Sequence, residues 1–215
     1  YKGIRKDNSS PFLGNGYSDK EIITELSNYL PKIRFEYFEG DNLIKKTALL
    51  LSQQKIIAWF QGRMEFGARA LGNRSILASP KYAKMRDKLN KVIKKREGFR
   101  PFAPSVTAET ASKWFEIKQG VPYMNIVTQN KSNKFKAATH IDNTCRVQTV
   151  QQKFNLKYYR LLKEVGNLTG DEVLLNTSFN LKDQTITRTP EQAIKRFINS
   201  DIDYLVIGKY IVSKT

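Results

Sequence analysis

The spacing of apolar residues along the chain alternates between a helical period and short continuous runs. Ser18 and Glu21 have the spacing of a capping box, and apolar residues follow at helical spacing, so a helix is predicted to begin near Asp19. A second helix start is predicted at Thr189, a candidate N-cap that is followed by Pro190 in the first turn. The helical period predicts further helices over residues 41–53, 82–93, 107–115, 156–165, ended by Gly166, and 190–199.

Short apolar runs predict buried strands between these helices. The clearest run covers residues 56–60 and leads into a segment rich in glycine and arginine. The other candidate strands cover residues 123–128, 145–150, 172–175, 204–208 and 210–212. Alternating helices and short strands favour an α/β, mixed α+β, sandwich without internal repeats. We expect residues 1–10, a polar start at Tyr1, to be the linker remnant of a longer chain, and residues 11–215 to form one domain.

Composition narrows the class of protein. The chain has 215 residues, of which 40% are hydrophobic, enough for a substantial core. No run approaches the roughly 20 apolar residues of a membrane-spanning helix, and the start lacks the apolar core of a signal peptide. Cys145 is the only cysteine, which excludes an intrachain disulfide and a multi-cysteine metal site. These observations predict a cytoplasmic protein with no membrane partner.

The charge balance points to anionic ligands. Lysine and arginine number 37 against 20 aspartate and glutamate residues, a formal net charge of +17. Such a charge attracts polyanions in general, so nucleotides, phosphate esters and nucleic acid all qualify. A lysine-rich surface of no specific purpose would give the same total. The placement of the arginines therefore carries more information than the net charge.

The first basic cluster follows the strand predicted at residues 56–60. Residues 61–75 hold three glycines and three arginines, Arg63, Arg69 and Arg74. Glycine lets backbone approach a ligand, and planar guanidinium groups match pairs of phosphate oxygens, so this loop is a candidate anion site. Glu65 is expected to orient the arginines through a salt bridge. A surface loop with incidental arginines is the alternative interpretation, since no standard phosphate-binding motif is present.

A second basic cluster precedes two prolines. Lys94, Arg96 and Arg100 lie where a predicted helix ends, and Pro101 and Pro104 restrict the backbone beyond them. Rigid display of three cations towards a common point suits phosphate binding. A solvated, charged helix end is the alternative interpretation.

Two further clusters carry polar groups of other kinds. Residues 139–148 include Arg146 and the only histidine, His140, which could act as a base, a ligand or a hydrogen-bonded packing group, the last being the commonest role. Residues 176–180 place amide and hydroxyl groups directly after a buried strand, where they could hold a small ligand. A polar turn would have the same composition.

Taken in this order, the clusters resemble the C-terminal region of the O-carbamoyltransferases of the tobramycin, cephamycin and nodulation-protein-U type. The resemblance covers residues 11–214, and its longest motifs are residues 62–77 and 96–106. Lys94 and Arg96 match the KxR pattern, and residues 178 and 180 the SxN pattern, of the wider YrdC-like family that makes threonylcarbamoyl-adenylate.

The resemblance implies a YrdC-like twisted mixed β-sheet flanked by helices, with a concave basic face for ATP and carbamoyl phosphate. Its implied activity is formation of carbamoyl-adenylate, with Mg²⁺ arriving on ATP. An N-terminal actin-like domain of the same full-length chain, carrying a catalytic metal, would then transfer the carbamoyl group to an acceptor hydroxyl compound. This transferase domain would thus be incomplete for the full reaction.

Carried over by position, the family pattern implies catalytic roles for some residues and ATP or phosphate binding for others. No metal ligand is expected within this chain. The catalytic set is Lys94, Arg96, Arg146, Ser178 and Asn180, and the binding set is Arg63, Arg69, Arg74, Arg100 and Asn176.

This sequence departs from the family pattern in three places. Ala68 stands where proline is common, Asn143 where glycine is common, and residues 182–187 replace a Gly-Glu-Pro-Ile-Val run. The last departure follows the SxN pattern directly, so it bears on substrate contacts of that loop. Asparagine tolerates positive φ better than most residues, so Asn143 is expected to replace a turn glycine.

Two other functions fit the same composition. A basic RNA-binding or domain-docking module without catalysis would use the net charge of +17 and the 10 tyrosines and 12 phenylalanines for phosphate contact and stacking. A degenerate relative that keeps only the fold is the other. The arginines, however, cluster in loops restricted by glycine and proline, which favours the enzyme.

Overall fold

The computed structural model describes residues 10–215, and most of the expected linker remnant, residues 1–9, lies outside them. Its centre is a mixed eight-stranded sheet with strand order β1-β10-β9-β2-β3-β8-β4-β7. Two neighbouring pairs, β2 with β9 and β4 with β7, are parallel, and the others are antiparallel. The strands are β1 (Ile33–Tyr37), β2 (Ile57–Phe60), β3 (Arg74–Ala78), β4 (Ala103–Thr107), β5 (Thr128–Gln129), β6 (Thr144–Cys145), β7 (Gln148–Val150), β8 (Val173–Ser178), β9 (Tyr204–Ile207) and β10 (Tyr210–Lys214).

Helices cover both faces of this sheet, while β5 and β6 form a separate two-stranded ribbon. The α-helices are α1 (Asp19–Ser27), α2 (Asp41–Ser52), α3 (Ala83–Lys88), α4 (Ala111–Trp114), α5 (Leu156–Thr169) and α6 (Pro190–Ile198). A π-helix, Leu89–Lys94, continues α3, and a short 3-10 helix covers Lys136–Ala138. In the part of the chain that the structure describes, no helix is long and apolar enough to cross a membrane.

Two apolar cores explain why β2 is a continuous apolar run. Ala58 and Phe60 pack into one core with α1 and α6, whereas Ile57 and Trp59 pack into the other with α2 and α5. Because successive side chains of a strand point to opposite faces, a sheet covered on both sides needs apolar residues at every position. The predicted mixed α/β architecture is confirmed.

Local sequence signals located several elements correctly. The capping box at α1 is present, with the Ser18 hydroxyl accepting from the Glu21 N–H and the Glu21 carboxylate accepting from the Ser18 N–H. At α6 the Thr189 hydroxyl accepts from the N–H of Gln192. Asn143 adopts φ +62°, as expected for a residue in place of a turn glycine.

Other predictions were wrong, each for a visible reason. The helix predicted to end at Gly166 continues to Thr169 and ends at Gly170, whose φ is +80°. Gly166 instead makes room for Glu172, since a Cβ there would lie 2.4 Å from that residue's Cγ. Residues 107–115 contain only the four-residue α4, because Thr107 is the last residue of β4.

The predicted strand at residues 123–128 is also absent, because only Thr128 of that segment enters a strand. Met124 has a positive φ of +54°, and Tyr123, Ile126 and Val127 are exposed. The segment is therefore a surface loop in spite of its apolar composition, and residues 123–127 pair with no neighbouring strand.

Candidate functional site

Sheet topology brings distant loops to one edge. The antiparallel registers place Ser178, at the end of β8, opposite Ser75 near the start of β3. Ala103, the first residue of β4, pairs with Asn176, and β7 begins beside β4. Since β3, β4 and β7 all begin at the edge where β8 ends, the polar loops before and after these strands meet there. This edge is called the basic edge below.

Lys94 joins two of the predicted clusters at the basic edge. It is the last residue of the π-helix, and its ammonium donates to the carbonyl oxygens of Ser178 at 2.7 Å and Asn180 at 3.0 Å, and to Asn180 Oδ1 at 2.8 Å. The Ser178 hydroxyl donates to the same Oδ1 at 2.6 Å. The KxR and SxN segments, more than 80 residues apart in sequence, are therefore in direct contact.

The surroundings of Lys94 disfavour its charged form. The residue is only 7% exposed, and burial, followed by the charges of Arg96 and Arg196, lowers the pKa of its ammonium from 10.5 to about 7. The three accepting oxygens act in the opposite direction, because they favour the protonated form. An incoming anion would add to that preference. Perturbed groups of this kind are concentrated at functional sites.

Arg96 is positioned by a buried asparagine that belongs to none of the predicted clusters. Asn90 is fully buried and accepts from Arg96 Nε at 2.8 Å. Its amide donates to the carbonyl oxygens of Gly98 and Arg100. The Arg96 guanidinium also lies 4.8 Å from the centre of the Phe102 ring. Asn90 thus fixes the loop carrying Arg96 and Arg100.

Two adjoining cavities open at the basic edge, and Arg96, Phe102 and Arg146 line both of them. The larger has a volume of about 660 Å³, and its further lining residues are Phe99, Arg100, His140, Ile141 and Asp142. The smaller has a volume of about 170 Å³; its polar lining residues are Arg69, Arg96, Arg146, Asn176, Thr177 and Ser178. Six residues of the predicted set line one or both cavities: Arg69, Arg96, Arg100, Arg146, Asn176 and Ser178. Lys94 donates to the carbonyl of one of them, Ser178.

The arginines around the smaller cavity are not neutralised by carboxylates. Among residues 10–215, no carboxylate oxygen lies within 4 Å of a guanidinium nitrogen of Arg69, Arg96 or Arg146. Partial burial and then the charge of Arg69 lower the pKa of Arg146. Arg100, at the outer cavity, pairs with Glu97 at 3.1 Å. Uncompensated guanidinium groups facing one cavity constitute an anion-binding arrangement.

The other two arginines of the predicted set hold the fold together. Arg63 donates to the carbonyl oxygens of Gly14 and Leu13. Arg74 is fully buried, lies 3.7 Å above the Phe60 ring and donates to four backbone carbonyls. Burial lowers the pKa of Arg74 to about 10. Neither residue lines the two cavities, and a ligand contact of Arg63 or Arg74 stays a prediction.

The prediction that Glu65 orients the arginines through a salt bridge was wrong. Its buried carboxylate accepts the backbone N–H groups of Leu71, Asn73 and Arg74 and forms no salt bridge with an arginine of the described chain. The glutamate therefore shapes the loop through its backbone. Gly72 in the same loop has φ +106°, and a Cβ there would lie 2.2 Å from the Tyr158 ring. This glycine permits packing against Tyr158 instead of approach to a ligand.

His140 lines the larger cavity, and residues 182–187, which depart from the family pattern, follow Asn180. The imidazole Nδ1 is 2.9 Å from the Thr144 hydroxyl, and partial burial lowers the pKa of the ring. In residues 182–187, Asn180 Nδ2 donates to the Gln184 carbonyl at 2.8 Å, so the loop still orients the SxN asparagine. Among residues 10–215, no three histidine, cysteine, aspartate or glutamate side chains are grouped so as to hold a metal ion.

Comparison with known proteins gives a consistent picture. A family model described as the carbamoyltransferase C-terminus matches residues 48–214. Nodulation protein NolNO of Sinorhizobium fredii is 41% identical over 210 residues, covering 95% of this chain and 30% of that protein. The 3'-hydroxymethylcephem-O-carbamoyltransferase of Amycolatopsis lactamdurans is 38% identical over 193 residues, covering 89% of this chain and 36% of that enzyme. The chain spans about a third of the length of these relatives.

Among solved structures, full-length HypF in its phosphate- and nucleotide-bound form aligns with a TM-score of 0.54 at 17% identity, covering 81% of this chain and 22% of that one. At this identity the likeness is one of fold. It confirms the predicted YrdC-like sheet flanked by helices.

Proposed function

Because the chain belongs to the carbamoyltransferase C-terminal family, we propose that it binds ATP and carbamoyl phosphate and joins them into carbamoyl-adenylate. The observation that carries this proposal is the contact of Lys94 with Ser178 and Asn180 beside a cavity lined by three arginines without carboxylate partners. Such an arrangement suits reactions in which positioning and neutralisation of negative charge lower the barrier.

The difference in size between the two cavities matches the difference in size between ATP and a carbamoyl group. The larger, at about 660 Å³, falls within the range of about 300–1,000 Å³ typical of ligand pockets and would take ATP, with the exposed Phe99 ring available to the base. The smaller, at about 170 Å³, would take the carbamoyl group. Arg96 and Arg146 line both, so they would lie between the two reacting groups.

The proposed reaction needs no covalent nucleophile from the protein. Carbamoyl phosphate first loses phosphate to water and leaves a carbamate, whose oxygen attacks the α-phosphorus of ATP. The bond from that phosphorus to the β-phosphate bridging oxygen breaks, and pyrophosphate leaves. Lys94, Arg96, Arg146, Ser178 and Asn180 would neutralise and orient these groups, with Mg²⁺ bound to the ATP phosphates.

Transfer to the final acceptor is proposed for a part of the full-length protein outside this chain. The relatives are about three times as long as the matched segment, and an N-terminal actin-like domain with a bound metal would use the adenylate to carbamoylate a hydroxyl compound in the cytoplasm. A cytoplasmic setting supplies both ATP and the acceptor.

Calorimetric titration tests the binding step. We expect the chain to bind ATP with Mg²⁺ and to bind carbamoyl phosphate, and we expect Arg69→Ala and Ser178→Ala to weaken the binding. The RNA-binding or docking alternative predicts the reverse: RNA affinity with a steep salt dependence and no binding of either small ligand. That result would overturn the proposal.

A further inference from the structure

The Asn176 side chain is fixed in one orientation by its neighbours. Gln148 Nε2 donates to the Leu71 carbonyl at 2.8 Å, which leaves Gln148 Oε1 to accept from Asn176 Nδ2 at 2.9 Å. Asn176 Nδ2 also donates to the Ala70 carbonyl at 3.2 Å. Backbone carbonyls only accept hydrogen bonds, so turning either amide round would set oxygen against oxygen. Asn176 Oδ1 is therefore the free end of this network.

The free oxygen belongs to a buried residue of the smaller cavity's lining. Asn176 is 1% exposed and lines the cavity, and within residues 10–215 its Oδ1 has no hydrogen-bond partner. Buried polar atoms are almost always paired, and an unpaired one calls for an explanation. A ligand that brings an N–H to this oxygen would satisfy it.

The rest of the cavity lining describes the ligand. Arg69, Arg96 and Arg146 are donors only and match phosphoryl oxygens. The Ser178 hydroxyl already donates to Asn180 Oδ1 at 2.6 Å. With its hydrogen committed, the Ser178 oxygen can only accept from a ligand, as can Asn176 Oδ1. The matching ligand therefore carries anionic oxygens at one end and an N–H donor at the other.

Carbamoyl phosphate has both ends. Resting on the function proposed above, we propose that Asn176 Oδ1 accepts a hydrogen bond from the carbamoyl –NH₂ group and thereby selects carbamoyl over acyl groups. Acetyl phosphate carries a methyl group of similar size in place of the amine, and it would leave Oδ1 unpaired. A carboxyl group in the same place would set an anionic oxygen against it.

The test compares carbamoyl phosphate, acetyl phosphate and inorganic phosphate by calorimetric titration of the wild-type chain and of Asn176→Leu. Leaving a buried acceptor unpaired corresponds to a loss of about 5- to 150-fold in affinity, so the wild type should prefer carbamoyl phosphate over acetyl phosphate by at least about fivefold. In Asn176→Leu this ratio should fall to about one, because neither ligand then meets an acceptor.

The ratio is read within each protein, so a general loss of affinity leaves it interpretable. Thr177→Val is the matched control, since it removes a hydroxyl from the next residue of the same lining and should keep the preference. Asn176→Ala repeats the test if Asn176→Leu does not fold by circular dichroism. A crystal structure of the wild type with carbamoyl phosphate needs no variant, and there the amine should lie within hydrogen-bond distance of Oδ1.

The outcomes distinguish the inference from the proposed function. If the wild type does not bind carbamoyl phosphate, the proposed function fails and the inference falls with it. If the wild type binds both acyl phosphates equally, or if the Asn176 variants keep the preference, the phosphate site stands and the role of Asn176 is overturned. An amine far from Oδ1 in the crystal structure would overturn it as well.

Discussion

Replacement of Lys94 by methionine tests whether this lysine is buried at a cost in stability. Methionine has a similar length and is not titratable. In the folded protein the pKa of Lys94 falls from 10.5 to about 7, so between those values the unfolded chain binds a proton that the folded chain does not. Stability then rises with pH. The wild type should gain about 1.4 kcal/mol per pH unit relative to Lys94→Met, or about 4 kcal/mol between pH 7 and 10.

The assay is urea unfolding of both proteins at several pH values, because their difference cancels the titration of other groups. Below about pH 7 the difference in free energy of unfolding should be constant, since Lys94 is then protonated in both the folded and the unfolded protein. The three accepting oxygens favour the ammonium, which makes about 4 kcal/mol an upper figure. Lys91→Met, which removes an exposed lysine of the same helix, controls for the loss of one positive charge. A difference between wild type and Lys94→Met that stays flat from pH 7 to 10 would show that folding does not lower the pKa of Lys94.

Four further substitutions separate residues that hold the fold from residues that line the cavities. Arg74→Met should lower the free energy of unfolding by about 3–5 kcal/mol, since it leaves buried carbonyls unpaired, and a shift of less than about 1 kcal/mol in urea unfolding would contradict this. Gly72→Ala should cost about 1–3 kcal/mol, because its Cβ would meet the Tyr158 ring at 2.2 Å; thermal unfolding with an unchanged midpoint would rule out that clash. Arg69→Ala should weaken phosphate binding by about tenfold, whereas Arg63→Ala should change it less than about twofold, and calorimetry giving equal losses would show that the cavity does not distinguish them.

The elements that sequence located correctly are those whose signals are local. The capping box at Ser18 and Glu21 and the cap at Thr189 involve residues within one helical turn, so no knowledge of the rest of the chain is needed. The uninterrupted apolar run of β2 likewise indicates a strand covered on both faces. The strand β3 was missed because it begins with Arg74 and Ser75, polar residues that are buried by tertiary contacts alone.

The roles of individual arginines could not be predicted in the same way. Arg63, Arg69 and Arg74 belong to the same Gly- and Arg-rich segment. Arg63 and Arg74 nevertheless donate to backbone carbonyls, whereas Arg69 lines a cavity. The difference depends on where residues 13–15 cross the loop, which is a long-range property of the fold. Gln148 was missed for the same reason, because its partners Leu71 and Asn176 are distant in sequence. Asn90 has partners only six to ten residues away, but it lies outside the basic motif that it supports.

Exchange of radioactive pyrophosphate into ATP measures the proposed formation of carbamoyl-adenylate itself. The chain is incubated with ATP, Mg²⁺, labelled pyrophosphate and carbamoyl phosphate, and label recovered in ATP reports reversible formation of carbamoyl-adenylate. If the chain forms carbamoyl-adenylate, exchange should depend on carbamoyl phosphate and should be lost in Lys94→Met and Ser178→Ala. A chain that binds both ligands but shows no exchange above the level without carbamoyl phosphate would contradict it.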